Sequence, residues 1–105
     1  MSDIKNIFKN IESRLTIEKA KQINASYLFH IGINDIWLID LTKKSNWIKK
    51  ADNSTKAQCS IIISNPKDWE DLTSGNLTPT SGFMQGKIKI KGNMSLAMKL
   101  QALLS

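Results

Sequence analysis

Residues 83–101 read Phe83-Met84-Gln85-Gly86-Lys87-Ile88-Lys89-Ile90-Lys91-Gly92-Asn93-Met94-Ser95-Leu96-Ala97-Met98-Lys99-Leu100-Gln101. Lys87–Lys91 alternates strictly. Ile88 and Ile90 face one way and the three lysines the other, as in an edge strand or a strand with one solvated face. Gly92-Asn93 breaks the strand, and Asn93 serves as N-cap for a last helix over 94–104. In that helix Leu96, Ala97, Leu100, Leu103 and Leu104 already fill the stripe, a little over about 100° wide, that a helix lays on a sheet. Met94 and Met98 fall on another side, leaving Lys99 and Gln101 as the main polar residues. Either the helix is deeply buried, or its second face meets something apolar that is not in this chain. Methionine is common on surfaces that accept variable apolar partners.

Upstream, Gln58–Ser64 places Cys59, Ile61 and Ile63 on one face of a strand. Asn65-Pro66 then starts a helix with an N-cap and a proline at the first position, continuing over Lys67–Ser74 to Gly75. Thr78-Pro79-Thr80 starts a shorter helical turn that ends near Gly86. From Tyr27 the apolar period is two: Tyr27, Phe29, Ile31 and Ile33 against Leu28, His30 and Gly32. Asn34-Asp35 is a turn pair, followed by a strand over Ile36–Thr42, which together read as a hairpin. A short strand is expected at Asn46–Lys49 and a polar loop over 50–56. At the N-terminus Ile4, Ile7, Phe8, Ile11 and Leu15 lie on one helical face, with Ser2 or Asp3 available as cap, and a second helix covers roughly 16–23. The sum is an α+β domain of five strands and about five helices, with the helices on one face and the other face solvated.

The length of 105 residues suits one domain, expected over 1–105. Apolar residues make up 41% and charged ones 23%, which argues against disorder. No apolar run exceeds four residues, so none is long enough to span a bilayer, and the first fifteen residues lack the apolar core of a signal peptide. A single Cys excludes an internal disulfide framework, and a single His excludes the usual zinc sets. The net charge of +6 invites a polyanion. However, fifteen Ile with no Val, fourteen Lys against one Arg, and nine Asn are what A/T-rich codon drift produces, so part of the charge carries no function.

No catalytic constellation stands out. Gly82-Phe83-Met84-Gln85-Gly86 lacks the spacing of a nucleotide loop. Cys59 and His30 both fall in mid-strand, where core packing is the ordinary outcome. Asp68, Glu70 and Asp71 complement a helix N-terminus. Trp37, Trp47 and Trp69 are dispersed and the lysines spread over several elements, which favours core tryptophans over nucleic-acid stacking platforms.

The 83–101 stretch resembles the C-terminal signature of the sterol carrier protein type-2 family: an aromatic pair, Gln-Gly, a Lys-alternating strand, then Gly-Asn-Met-Gly-Leu-Ala-Met-Lys-Leu. Here Met84 replaces the second aromatic and Ser95 a common Gly. Ile36–Leu41, Lys56–Ile63, Asp68–Leu72 and Thr73–Pro79 are similar to further family segments. The resemblance implies a five-stranded sheet with helices over one face enclosing an apolar tunnel. It also implies binding and transfer of a long-chain fatty acid, fatty acyl-CoA or sterol, with no cofactor, no metal and no catalysis. Carried over by position, Phe83, Met84 and Gln85 would lie at the tunnel. Ile88, Ile90, Met94, Leu96, Leu100, Leu103 and Leu104 would supply wall, Gln101 would sit toward the mouth, and Phe8 and Ile11 are wall candidates from the first helix. The expected protein is a monomer, cytoplasmic or peroxisomal, touching anionic membranes transiently and binding no nucleic acid. Leu103-Leu104-Ser105 does not fit the peroxisomal tripeptide. The competing expectation is a basic α+β module that docks on an acidic partner or nucleic acid and has no lipid cavity.

Overall fold

The first helix, α1 (Ile4–Arg14), buries Phe8 and Ile11 and leaves Lys5, Lys9 and Glu12 exposed, as its apolar spacing requires. The computed structural model describes residues 4–32 and 35–104, with side chains up to Lys99 in the last helix. The cap candidates Ser2 and Asp3, and Ile33 and Asn34 of the hairpin turn, lie outside the described residues.

Each later helix is set by a cap that the sequence announces. Thr16 Oγ1 accepts from the Lys19 N–H at 3.1 Å to start α2 (Ile17–Ile23), and Asn24 closes it in the left-handed region at φ 44°. Asn65 Oδ1 accepts from Lys67 N–H at 3.0 Å with Pro66 at the first position of α3 (Pro66–Ser74), and Gly75 ends it at φ 90°. Thr78 Oγ1 accepts from Ser81 N–H at 3.1 Å for α4 (Pro79–Met84). Asn93 Oδ1 accepts from Ser95 N–H at 2.9 Å for α5 (Met94–Leu104).

Five strands make one mixed sheet in the order β3-β2-β1-β4-β5: β1 (Ser26–Ile31), β2 (Asp35–Asp40), β3 (Ile48–Lys50), β4 (Cys59–Ile63) and β5 (Ile88–Gly92). β1 runs antiparallel to β2, with Phe29 opposite Trp37, and parallel to β4, with Phe29 opposite Ile61. β5 is an edge, with Ile88 opposite Ile63 and Ile90 opposite Ile61. Strand ends differ from the expected ones by one or two residues, because Asp35 pairs with Ile31 and so belongs to β2 rather than to the turn.

The main core lies on the helix side. Phe8, Ile11, Tyr27, Phe29, Ile31, Ile61, Ile63 and Trp69 are each at most 1% exposed there. Two neighbours of Phe8 are stacked on it, Trp37 at 4.7 Å and Trp69 at 5.0 Å between ring centroids, and Phe29 meets it edge-on at 5.9 Å. The opposite face is not simply solvated, which corrects the expectation. Leu28, Ile36 and Leu38 form a second buried cluster with Ala51 and Ala57 of the connecting segment packed on it. That segment is folded back by Asp52, whose Oδ1 accepts from Ser54 N–H at 2.9 Å and Ser54 Oγ at 2.6 Å, and by Ala51 N–H donating to Ile36 O at 2.8 Å. The leucines of β1 and β2 have no helix above them, so the loop supplies their cover.

Gly92 ends β5 at φ 97°, and a Cβ there would stand 2.5 Å from the backbone oxygen of Gln58. Gly86 has φ 75°, yet a Cβ there would meet nothing. Both substitutions strain the backbone, and only one also collides with a neighbouring strand. Gly92→Ala is expected to cost about 3 kcal/mol and Gly86→Ala about 1 kcal/mol. Urea unfolding checks this; equal costs would show that β5 can move away from β4.

Candidate functional site

The last helix packs on β4 and β5 of the sheet and on α2 and α4, with small or half-buried side chains among its described residues. Ala97 is 1% exposed and Leu96 half-buried, while Met94 and Met98 are 46% and 63% exposed. A polar tie to the sheet is the Tyr27 hydroxyl, which donates to Leu96 O at 2.6 Å. Of the two alternatives for its wide apolar face, the structure selects the second: the Met94/Met98 side is not buried by this chain's described residues.

Under that side lies an apolar hollow of about 50 Å³ between α4, β5 and α5, lined by Pro79, Thr80, Phe83, Ile90, Met94, Ala97 and Met98. The structure therefore brings together Phe83, Ile90 and Met94 of the expected set. Met98, Pro79 and Thr80 were not among the candidates. The i, i+4 spacing of Met94 and Met98 was the available signal for Met98, and nothing local marked the other two. Leu96 packs against the main core from α5. Phe8, Ile11 and Ile88 sit fully inside that core, at 1%, 1% and 2% exposure. Met84 (80% exposed) and Gln85 are exposed at the end of α4. The side chains of Leu100, Gln101, Leu103 and Leu104 lie outside the described residues.

Two donors in the aromatic layer, Trp37 Nε1 and Trp69 Nε1, are buried without an acceptor among the described residues. Each such group costs about 1–3 kcal/mol. Cys59 and His30 cannot act together: Cys59 pairs with Tyr27 on the helix-facing side, and His30, one residue out of phase with Phe29, lies on the other. Burial also pushes the Cys59 thiol up, away from the thiolate that a nucleophile needs.

A model of the SCP-2 sterol transfer family matches residues 4–105. The chain belongs to that family. Lipid binding and transfer is the function that this membership supports. The chain is 38% identical over 105 residues to Sterol carrier protein 2 of Rattus norvegicus, covering 92% of this chain and 19% of the relative. It is 39% identical over 104 residues to Peroxisomal multifunctional enzyme A of Dictyostelium discoideum, covering 93% and 23%. The chain thus spans a quarter or less of the length of the curated relatives it matches. The solution structure of palmitated SCP2L2 from Aedes aegypti has the same fold, with TM-score 0.75, 18% identity, and coverage of 98% of this chain and 95% of that one.

Burial, and then the neighbouring Cys59, hold the Tyr27 phenol well above the usual tyrosine range. Tyr27 and Cys59 are neutral when protonated, and folding raises both pKa values. The folded state keeps protons that the unfolded chain releases above about pH 8.5 for Cys and about pH 10 for Tyr. Their contribution is complete below those values and is lost as pH rises, by about 1.4 kcal/mol per pH unit for each group once passed. We expect stability to fall from about pH 9 upward, and less steeply in a Tyr27→Phe/Cys59→Ala double variant. Tyr27→Phe alone should cost about 1 kcal/mol at neutral pH through the lost bond to Leu96. Because Tyr27 is the sole tyrosine, phenolate absorbance should rise together with loss of the circular dichroism signal. Phenolate appearing near pH 10 in a still-folded protein would contradict the burial argument.

Proposed function

We propose that the protein holds one long-chain lipid (a fatty acid, fatty acyl-CoA or sterol) beneath α5 and passes it on without converting it. The observation that carries this reading is the apolar hollow roofed by a helix with exposed methionines, Met94 and Met98, and floored by Phe83 and Ile90. Small-molecule sites enclose about 300 Å³ or more. The hollow of about 50 Å³ must therefore widen to load. α5 is the element able to yield, since Ala97 is its one fully buried side chain among the described residues. Lifting it would extend the hollow toward Leu96. Gln85 and Gln101 are the polar groups assigned to the headgroup end.

The energetics are sufficient without any catalytic group. Burying about 16 methylenes gains roughly 13 kcal/mol gross, at about 0.8 kcal/mol each. Association, ordering and the opening of α5 take back much of it, leaving room for micromolar or tighter binding. Methionines adapt to several chain shapes, so broad specificity follows. The names of the relatives support the same reading: one is a sterol carrier, and one structural neighbour is described as palmitated. The Dictyostelium relative's name supports a peroxisomal location, and a cytoplasmic one fits the same role. No helix among the described residues is long and apolar enough to cross a membrane.

Native mass spectrometry of the purified protein and titration with a fluorescent fatty acid test this. One bound lipid and saturable binding are expected. Phe83→Asp and Met94→Asp, both at half-exposed positions, should weaken binding at least tenfold while changing stability by less than about 1 kcal/mol. Absence of both co-purified lipid and saturable binding would overturn the proposal. In that case, strongly salt-dependent association with polyanions would favour the basic interaction module.

A further inference from the structure

Cys59 is the chain's single thiol. It is fully buried, and burial favours its protonated form, so a dissolved oxidant finds neither access nor thiolate there. Among the described residues, the sulfur that solvent reaches is thioether. Met84, Met98 and Met94 are 80%, 63% and 46% exposed. Met84 stands apart at the end of α4, whereas Met94 and Met98 line the hollow. These two are a helical turn apart on α5, and Pro79, Thr80 and Phe83 of α4 line the same hollow. The Thr80 hydroxyl donates to Met98 Sδ at 4.0 Å, the long end of such a contact. A thioether is a weak acceptor, so this bridge between α4 and α5 is a light one.

We propose that Met94 and Met98 form an oxidation site through which hydrogen peroxide turns lipid loading off. The proposal rests on the lipid-holding reading above and adds its regulation. A sulfur lone pair attacks one peroxide oxygen, the O–O bond breaks and an S–O bond forms. The other oxygen leaves as water, carrying both protons of the peroxide. Each thioether is thereby oxidised by two electrons to the sulfoxide, and the peroxide is reduced. A sulfoxide is polar where the thioether was apolar. A lipid chain that covers the oxidised lips must strip water from them, which costs free energy that covering a thioether does not. At Met98 the new oxygen is a stronger acceptor than the sulfur and stands beside a hydroxyl already directed at that atom, so Thr80 ties α5 to α4 more firmly. Both effects oppose opening of the hollow. Reductases that act on methionine sulfoxide restore the thioether, so the change is reversible. Met84 takes up oxygen in the same way without lining the hollow, and so serves as an internal control.

The full chain is treated with hydrogen peroxide, mapped by peptide mass, and titrated with a fluorescent fatty acid before and after treatment. One added oxygen each at Met84, Met94 and Met98, and none at Cys59, is expected. Fatty-acid affinity should fall at least tenfold with the circular dichroism spectrum retained, and should return after incubation with methionine sulfoxide reductases. Each variant is compared with itself before and after peroxide. The loss should shrink to less than threefold in Met94→Leu/Met98→Leu and persist in full in Met84→Leu. Thr80→Val should still take up oxygen at Met98 but lose at least threefold less affinity than the parent. Thioethers intact at 94 and 98 once Met84 is fully oxidised would overturn the site. Oxidation at both with unchanged affinity, or an affinity loss that accompanies unfolding, would overturn the switch. Absence of saturable binding in the untreated parent would sink the lipid-holding reading separately, and the oxygen map would still decide the site.

Discussion

Tyr27 and Phe29 project from the central strand into the layer under the helices, and three helices take their places from them. Phe29 meets Phe8 of α1 edge-on and lies 5.1 Å from Trp69 of α3, so the two helices close over one ring. Tyr27 holds α5 by its hydroxyl on Leu96 O. The strand alternation that buries these two side chains together is therefore also what spaces the helices above them. A one-residue slip of β1 would turn His30 and Leu28 toward the helices and remove every one of these contacts.

The three helices are not held equally. α1 and α3 are fastened by stacked aromatic rings and fully buried side chains, the kind of contact worth several kcal/mol each. α5 brings no ring to the layer: among its described side chains it buries Ala97 and half-buries Leu96, and the Tyr27 hydroxyl ties it to the sheet at Leu96 O. In the proposed lipid-holding layer the aromatic, packed half keeps the fold and the half lined by methionines is the one that adapts. The unpaired indole donors of Trp37 and Trp69 lie in the packed half, where their cost of about 1–3 kcal/mol each is offset by the ring contacts around Phe8.

What the sequence made legible was local. The caps at Asn65 and Asn93, the helix starts near residue 16 and at Thr78, the stops at Gly75 and Gly92, and the alternation at 27–31, 59–63 and 87–91 all act within a few residues, and the structure follows them. The parallel pairing of β1 with β4 and the cover that Ala51 and Ala57 give to Leu28, Ile36 and Leu38 depend on residues more than a dozen positions apart, for which no local pattern exists. The candidate site divides in the same way. Phe83, Ile90 and Met94 came together because α4, β5 and α5 are consecutive. Phe8 and Ile11 were distant guesses, and they sit in the aromatic core rather than beside the hollow.

The charge acquires meaning only with position. Read as a total, +6 is compatible with codon drift and with any polyanion. Read along the chain, all nine acids fall at or before Asp71, so the earlier elements nearly neutralise themselves and the terminal α4–β5–α5 unit does not. Drift toward Lys explains the number of lysines, but not the absence of Asp and Glu from the one unit that exposes its methionines. At physiological salt a field decays over about 8 Å, so a distributed charge does little at a distance. A local, unopposed cluster is strongest where its own surface meets the partner. Exposed Met and Phe without such a cluster would invite self-association. With it, like charge on the same unit works against self-association, so the apolar lips of the hollow are kept apart from their copies.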